Sequence, residues 1–194
     1  IVRQLMKQLG GEPELAANVA SKIARGDVST KIQLAQGDRS SLMAAMYGMQ
    51  ETIKSLIDEQ GQMAAENKAG NIDARMDSSR FEGSFNTMAE NVNHMATNQA
   101  DVMRKVTNCI SEFSKGNFDA PLEQFPGKRA FINEGVEGLR TNVKTFIADM
   151  KTMSDEHDAG DVDVRLDEAK FEGAFNEMAH GVNNMVGAHV REKE

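Results

Sequence analysis

A glycine followed by a polar and then an apolar residue recurs four times, as Gly26-Asp27-Val28, Gly70-Asn71-Ile72, Gly116-Asn117-Phe118 and Gly160-Asp161-Val162. The intervals are 44, 46 and 44 residues, and a second apolar residue (Ile32, Met76, Leu122, Leu166) stands four positions after the first. A repeat at such a period sets the architecture before any local reading, because each copy is one structural unit of an array. Residues 63–95 and 153–185 are identical at 17 of 33 positions, including Gly70/Gly160, Asp73/Asp163, Arg75/Arg165, Phe81-Glu82-Gly83/Phe171-Glu172-Gly173, Phe85/Phe175 and Val92/Val182. The first and third copies match more weakly at the same offset of 90, at Gly26/Gly116, Gly37/Gly127, Arg39/Arg129 and Gly48/Gly138. The repeating element is therefore a pair of unlike units, in the order A-B-A-B.

Between the glycines the apolar residues follow alternating spacings of four and three. One stripe is Leu42, Met46, Met49, Ile53, Leu56 and Met63; another is Phe81, Phe85, Met88, Val92, Met95, Val102, Val106, Cys109 and Phe113. Ile132 to Met153 and Phe171 to Met185 continue the pattern. This is the narrow seam of a coiled-coil bundle. It predicts helices over 13–25, 41–69, 83–115, 130–159 and 173–191. Pro13 suits a first helical turn, and Gly26, Gly70, Gly116 and Gly160 suit the left-handed residue that ends a helix. Each of the three middle helices closes one unit and opens the next.

The connectors are too long and too regular to be passive loops. About fourteen extended residues reach ~46 Å, whereas fourteen helical residues rise only ~21 Å. A connector can thus run back along the first helix and start the second beside it, in the same direction. Val28/Ile32 and their counterparts would then pack as clips between the helices. Two parallel helices cannot bury a narrow seam alone, so a second copy of the chain is expected to complete each four-helix bundle. The expected assembly is a parallel homodimer, a rod of four stacked bundles about 90 Å long.

Composition narrows the function classes. The formal charge of −8 disfavours nucleic acid and anionic membranes as partners. There is no Trp and one Tyr, so a large aromatic core is excluded, and the single cysteine, Cys109, excludes an intrachain disulfide. No apolar run approaches the ~18–20 residues of a membrane span. The chain begins at Ile1 rather than Met and reads as a fragment.

Candidate chemistry is sparse. Glu177-Met178-Ala179-His180 has the Glu-x-x-His spacing of di-iron bundles, but Glu90 stands where the sister repeat would need a second His. Asp155, Asp158, Asp161, Asp163 and Asp167 surround Gly160, yet the third and twelfth places of a calcium loop counted from Asp155 hold His157 and Leu166. A solvated surface and an acidic connector account for these two clusters. Cys109 and His157 fall on the seam and are expected to pack, the histidine neutral. Met46 and Met49 are expected in the seam, with Met43 beside them. No nucleophile–base spacing or phosphate loop is present, so no catalytic residue is expected.

These features resemble the HAMP domain, a helix–connector–helix signalling unit. The resemblance rests on Leu9-Gly10-Gly11-Glu12-Pro13-Glu14, Ala24-Arg25-Gly26-Asp27-Val28, Gly37-Asp38-Arg39-Ser40-Ser41-Leu42-Met43 and Ala45-Met46. The opening unit resembles that of bacterial methyl-accepting chemotaxis receptors, and the rest is similar to the poly-HAMP arrays of bacterial receptors. The family's acidic residue at the start of the second helix is matched by Glu82 and Glu172 and roughly by Asp38, with Lys128 in the third unit. The resemblance implies an all-α fold of stacked parallel four-helix coiled-coil bundles formed by a homodimer, with tandem units over 1–57, 58–100, 101–147 and 148–194. It implies a non-enzymatic relay that switches between bundle packings, linking an upstream sensor or transmembrane segment to a downstream output domain, on the cytoplasmic side of the bacterial inner membrane. No metal, cofactor or small-molecule ligand is implied. Gly26, Gly70, Gly116 and Gly160 would lead the connectors. Val28, Ile32, Ile72, Met76, Phe118, Leu122, Val162 and Leu166 would clip the helices, and Pro13, Glu82 and Glu172 would set helix starts. The alternatives are a rigid coiled-coil spacer, a HAMP array of a sensor histidine kinase, and a monomeric antiparallel metal-storing or enzymatic bundle.

Overall fold

The computed structural model describes residues 2–191, with side chains for 3–190. Residues 1 and 192–194, the outer limits of the expected first and fourth units, lie outside the described residues. Among the described residues the chain is helical and without strands. The helices are α1 (Val2–Leu9), α2 (Pro13–Ala24), α3 (Leu42–Lys68), α4 (Gly83–Ser114), α5 (Ala130–Asp158) and α6 (Gly173–Arg191), with single 3₁₀ turns at Ser78–Arg80, Gly127–Arg129 and Glu168–Lys170. The last five helices lie within one residue of the limits read from the seam. The seam pattern predicts nothing over α1, a short helix that stops at Gly10-Gly11.

All four connectors begin with the same backbone device. The amide of the leading glycine bonds the carbonyl three residues back, and the next amide bonds the carbonyl five residues back: Gly26 to Ile23 and Asp27 to Lys22, Gly70 to Asn67 and Asn71 to Glu66, Gly116 to Phe113 and Asn117 to Glu112, Gly160 to His157 and Asp161 to Glu156. This is the Schellman closure, which satisfies the last helical carbonyls and requires a left-handed residue. Gly70 and Gly160 sit at φ 100° and 101°, where a Cβ meets the carbonyl oxygen that follows. The polar residue after the glycine then turns the chain. Asp27, Asn71 and Asp161 each accept a bond from the amide two residues on.

The chain divides into two compact units, Ile1–Val102 and Met103–Glu194. In the first, the connector over 69–82 descends α3 as its numbering rises: Asn71 bonds Glu66, the Asp77 amide bonds Glu59, and Arg80 reaches Glu59 and Ser55. It descends α4 in the same sense, from Arg75 at Thr97 through Met76 at Asn93 to Ser78 at Asn86. A segment antiparallel to both flanking helices makes those helices parallel to each other. The connector over 25–41 behaves alike, because Val28 and Thr30 lie at Gln50 of α3 while Ser41, at the start of α3, lies against Gly10 just before α2. A Cβ on Gly10 would fall 2.2 Å from Ser41 Oγ, so that approach requires glycine.

In the second unit the connector over 115–129 passes α4 at Glu112, Cys109 and Lys105, and α5 at Arg140 and then Asn133. The connector over 159–172 passes α5 at His157 and Asp149 and α6 at Asn183, His180 and Asn176. Both again lie between parallel helices, as the connector length requires.

Each connector roofs its own apolar cluster. The four clusters centre on Ile32 with Val19, Ile23, Met43 and Met46; on Met76 with Leu56, Met63, Phe81 and Ala89; on Ala120 with Cys109, Phe113 and Val136; and on Leu166 with Met153, Phe171 and Ala179. Within one chain, burial on α3 falls one position away from part of the expected seam. Met43, at 1% exposure, and Gln50 are buried, while Leu42 and Met49 are 48% and 43% exposed. The cause is that α3 turns Met43, Met46 and Gln50 towards α2 and the connector, which leaves the adjacent Leu42/Met49 line uncovered within one chain.

Gly160→Ala is expected to cost about 1–2 kcal/mol, because alanine must hold a left-handed φ. Gly48→Ala, on an open helical face of α3 with nothing within 4 Å, should be neutral or stabilise by up to ~1 kcal/mol. Urea unfolding midpoints of the two variants check both signs.

Candidate functional site

The connectors carry the distinctive geometry. Of the expected clips, Ile32, Met76 and Leu166 are buried, Val28, Ile72, Phe118 and Leu122 are half-buried, and Val162 is exposed. Pro13 occupies the first turn of α2. Glu82 and Glu172 are exposed just before α4 and α6. In those stretches the carboxylates that bond backbone amides belong to Asp77, which accepts from Ser79, and Asp167, which accepts from Ala169.

The apolar clips are accompanied by a set of polar ties that the seam pattern conceals. Asn93 of α4 accepts from the Met76 amide at 2.8 Å and donates to the Met76 carbonyl at 2.9 Å. Asn183 of α6 makes the same pair with Leu166, at 2.8 and 2.9 Å. Asn133 of α5 accepts from the Phe125 amide and donates to the Glu123 carbonyl. Each side chain stands in for a neighbouring strand, pairing both backbone groups of a segment that has no sheet to join. Asn133 is 4% exposed, and an unpaired amide there would be costly. The identity of Asn93 and Asn183 at the repeat offset was the available signal, but an Asn on an otherwise polar flank reads as surface.

Charge is arranged around these ties. Asn183 and then His180 hold the Glu168 carboxylate below its ordinary pKa, through bonds of 2.8 and 3.1 Å. Lys144 does the same for Asp119 across from α5, and the Asp149 carboxylate raises the Lys170 ammonium. At the start of α3, the Ser41 hydroxyl, at 2.5 Å, lowers Asp38, and the Ser41 and Ser40 amides add to this. Ser41 Oγ in turn accepts from the Ala44 amide, completing the helix cap.

The residues weighed for metal chemistry do not converge. Among the described residues no three His, Cys, Asp or Glu side chains are placed to hold a metal ion. His180 of the Glu-x-x-His pair turns to Glu168, and Asp161 is engaged by the Asp163 amide. His157 Nε2 donates to the Val164 carbonyl at 3.0 Å. Cys109 is 3% exposed, with Sγ 3.8 Å from the Ala120 carbonyl. Among the described residues no helix is long and apolar enough to cross a membrane.

A connector led by a Schellman glycine and held between parallel helices recurs four times, in keeping with the helix–connector–helix pattern that the sequence resemblance implied. Residues 102–144 match the family described as HAMP N-terminal domain 3. A methyl-accepting chemotaxis protein of Pseudomonas aeruginosa, McpB, is 29% identical over 94 residues, which is 48% of this chain and 14% of that protein's length. The matched part is thus a small fraction of that relative.

Asn93→Ala should leave both backbone groups of Met76 without their partner and lower unfolding stability by about 2 kcal/mol, read from urea midpoints. Asp38 has a depressed folded-state pKa, so its contribution is present above the ordinary carboxylate pKa of about 4 and is lost as pH falls through the folded value. The melting-temperature difference between the native chain and Asp38→Asn should therefore stay constant from pH 6 to about pH 5 and shrink as the pH falls from there to 3 and below.

Proposed function

We propose that this chain is a tandem array of four HAMP units, over 1–57, 58–100, 101–147 and 148–194, that relays a conformational signal in a chemotaxis-type receptor. The match at 102–144 and the likeness to a methyl-accepting chemotaxis protein support the relay class. The other three units are supported by the four connectors, which share one closure, one run-back path and one roofed cluster each. In this reading an upstream sensor, joined directly or through a membrane segment, pushes on α2, and an output domain follows α6. The leading glycines and the apolar clips, including Val28, Ile72, Phe118 and Leu122, hold each connector to both helices, while the exposed Val162 leaves Leu166 to serve the fourth. Each bundle has two packings within a few kcal/mol, and the input shifts the balance.

The observation that carries the reading is a second apolar line left uncovered on the helices. Met88 and Met95 on α4 are 51% and 58% exposed, Met178 and Met185 on α6 are 50% and 56%, and Met103 and Ile110 on α4 are 55% and 41%. All three pairs are seven residues apart, the repeat of a coiled-coil seam. Monomers rarely leave such lines open. A second copy, parallel and in register, covers each line with its own equivalent. Methionine on both sides tolerates repacking, which suits a bundle with two arrangements.

Sedimentation equilibrium should give twice the 21.3 kDa chain mass; a monomer would overturn the bundle reading. In a receptor carrying this segment, Ile32→Lys or Leu122→Lys should weaken the dimer and shift the resting output. Unchanged dimerisation and output together would remove the clips from the mechanism.

A further inference from the structure

In every connector the same two carbonyls, two and four residues after the leading glycine, receive a side-chain donor. In the second connector Arg75 Nη1 donates to Ile72 at 3.0 Å and Ala74 at 2.7 Å. In the fourth, Arg165 Nη1 donates to Val162 at 2.7 Å and Val164 at 2.9 Å. These donors belong to the connector itself. In the first connector the donor is Gln50 of α3, whose Nε2 reaches Val28 at 2.6 Å and Thr30 at 2.7 Å. In the third it is Arg140 of α5, which donates to Phe118 through Nη1 and to Ala120 through Nη2, the latter at 2.7 Å. Gln50 and Arg140 stand at the repeat offset of 90, as do Arg75 and Arg165. One backbone requirement is thus met in two ways, and the choice alternates along the chain.

We propose that Gln50 and Arg140 are positioning residues that bind the first bend of connectors one and three to their second helix, whereas Arg75 and Arg165 shape the same bend from within. A donor on the helix must travel with it, so turning or sliding that helix drags the two carbonyls along or strips them of their partner. A donor on the connector keeps the bend folded whatever the second helix does; in the fourth connector His157 of α5, the first helix, adds a bond to the Val164 carbonyl at 3.0 Å. Connectors two and four instead hold their second helix further along, at Met76 and Leu166 through Asn93 and Asn183. Arg75 also reaches Thr97 of α4 through Nε, a bond that steadies the guanidinium without moving the donor off the connector.

Arg140 is the better placed of the two for a test. Its guanidinium lies 4.9 Å above the Phe113 ring, its Nε bonds Glu137 at 2.9 Å, and Nη2 is 4.0 Å from Cys109 Sγ. Ala120, whose carbonyl Arg140 holds, also covers Cys109, the single cysteine of the chain. Release of the bend therefore uncovers a built-in thiol reporter.

The experiment is the rate at which Cys109 of the full 194-residue chain reacts with a maleimide, alongside helical circular dichroism. Arg140→Met keeps the stem over Phe113 but removes both donors, and should label about tenfold faster as the bend opens locally. Arg140→Gln supplies the donor that the first connector uses and should return the rate to within about threefold of the native chain. Arg165→Met, in the fourth connector, should leave the rate unchanged. Native-like labelling of Arg140→Met overturns the proposal, as does Arg140→Gln labelling as fast as Arg140→Met. If Arg140→Met loses its helicity, Arg140→Gln decides alone: helical and slow supports the tie, fast overturns it. That these ties position helices for signalling rests on the relay reading. An Arg140→Met receptor with opened Cys109 but unaltered output would sink the relay role and leave the tie standing.

Discussion

A chain segment that lies extended between two helices has backbone amides and carbonyls that neither helix can pair through its own main chain. That requirement governs the rest of the structure. The connectors meet it with side chains borrowed from the flanking helices and from themselves. Asn93 and Asn183 each supply a donor and an acceptor to one residue, Asn133 bridges two, and Gln50, Arg75, Arg140 and Arg165 feed pairs of carbonyls. Because Asn93, Asn133, Asn183, Gln50 and Arg140 sit at fixed heights on a helix, they fix the register of the connector. The apolar clips then fall into place: Ile32, Met76 and Leu166 go under cover because the backbone beside them is pinned.

The direction of the helices follows from the same constraint. An extended segment covers more than twice the distance per residue of a helix. Once it is held along the whole flank of both helices, it brings the second helix back to the starting level of the first. Parallel neighbours present their uncovered lines on the same side at regular heights, which a symmetric second copy can match. An antiparallel hairpin would have set unlike heights against each other.

Much of this was legible in the residues. The leading glycines were readable because a helix stop of this kind depends on one residue's backbone freedom. The helix limits followed from the four-three spacing, which depends only on the chain's own periodicity. The burial of Ile32, Met76 and Leu166 was readable because an apolar residue inside a polar connector has little other reason to be there, whereas Val162 lies exposed. What stayed hidden were the residues whose role depends on a partner distant in the sequence. Gln50 was passed over because a polar residue beside Met49 reads as a solvated flank, yet it is 5% exposed. Arg140 was hidden for the same reason, and because its counterpart at the repeat offset is a different residue type. On α3 the residues buried within the chain, Met43 and Gln50, stand one position from Leu42 and Met49 of the expected seam, since a stripe serving both a neighbour in the chain and one outside it is wider than a single seam.

The ties described above are all short in sequence; the widest, between Arg140 and Cys109, spans 31 residues. Each connector's ties therefore stay within its own flanking helices, with Gln50 Oε1 the buried oxygen left without a partner among the described residues, and the internal identity at an offset of 90 relates the two pairs of connectors. A gene that gains or loses ninety codons at a matched point would join α-helix to α-helix without orphaning a single tie. The number of glycine-led connectors is then open to change by unequal recombination.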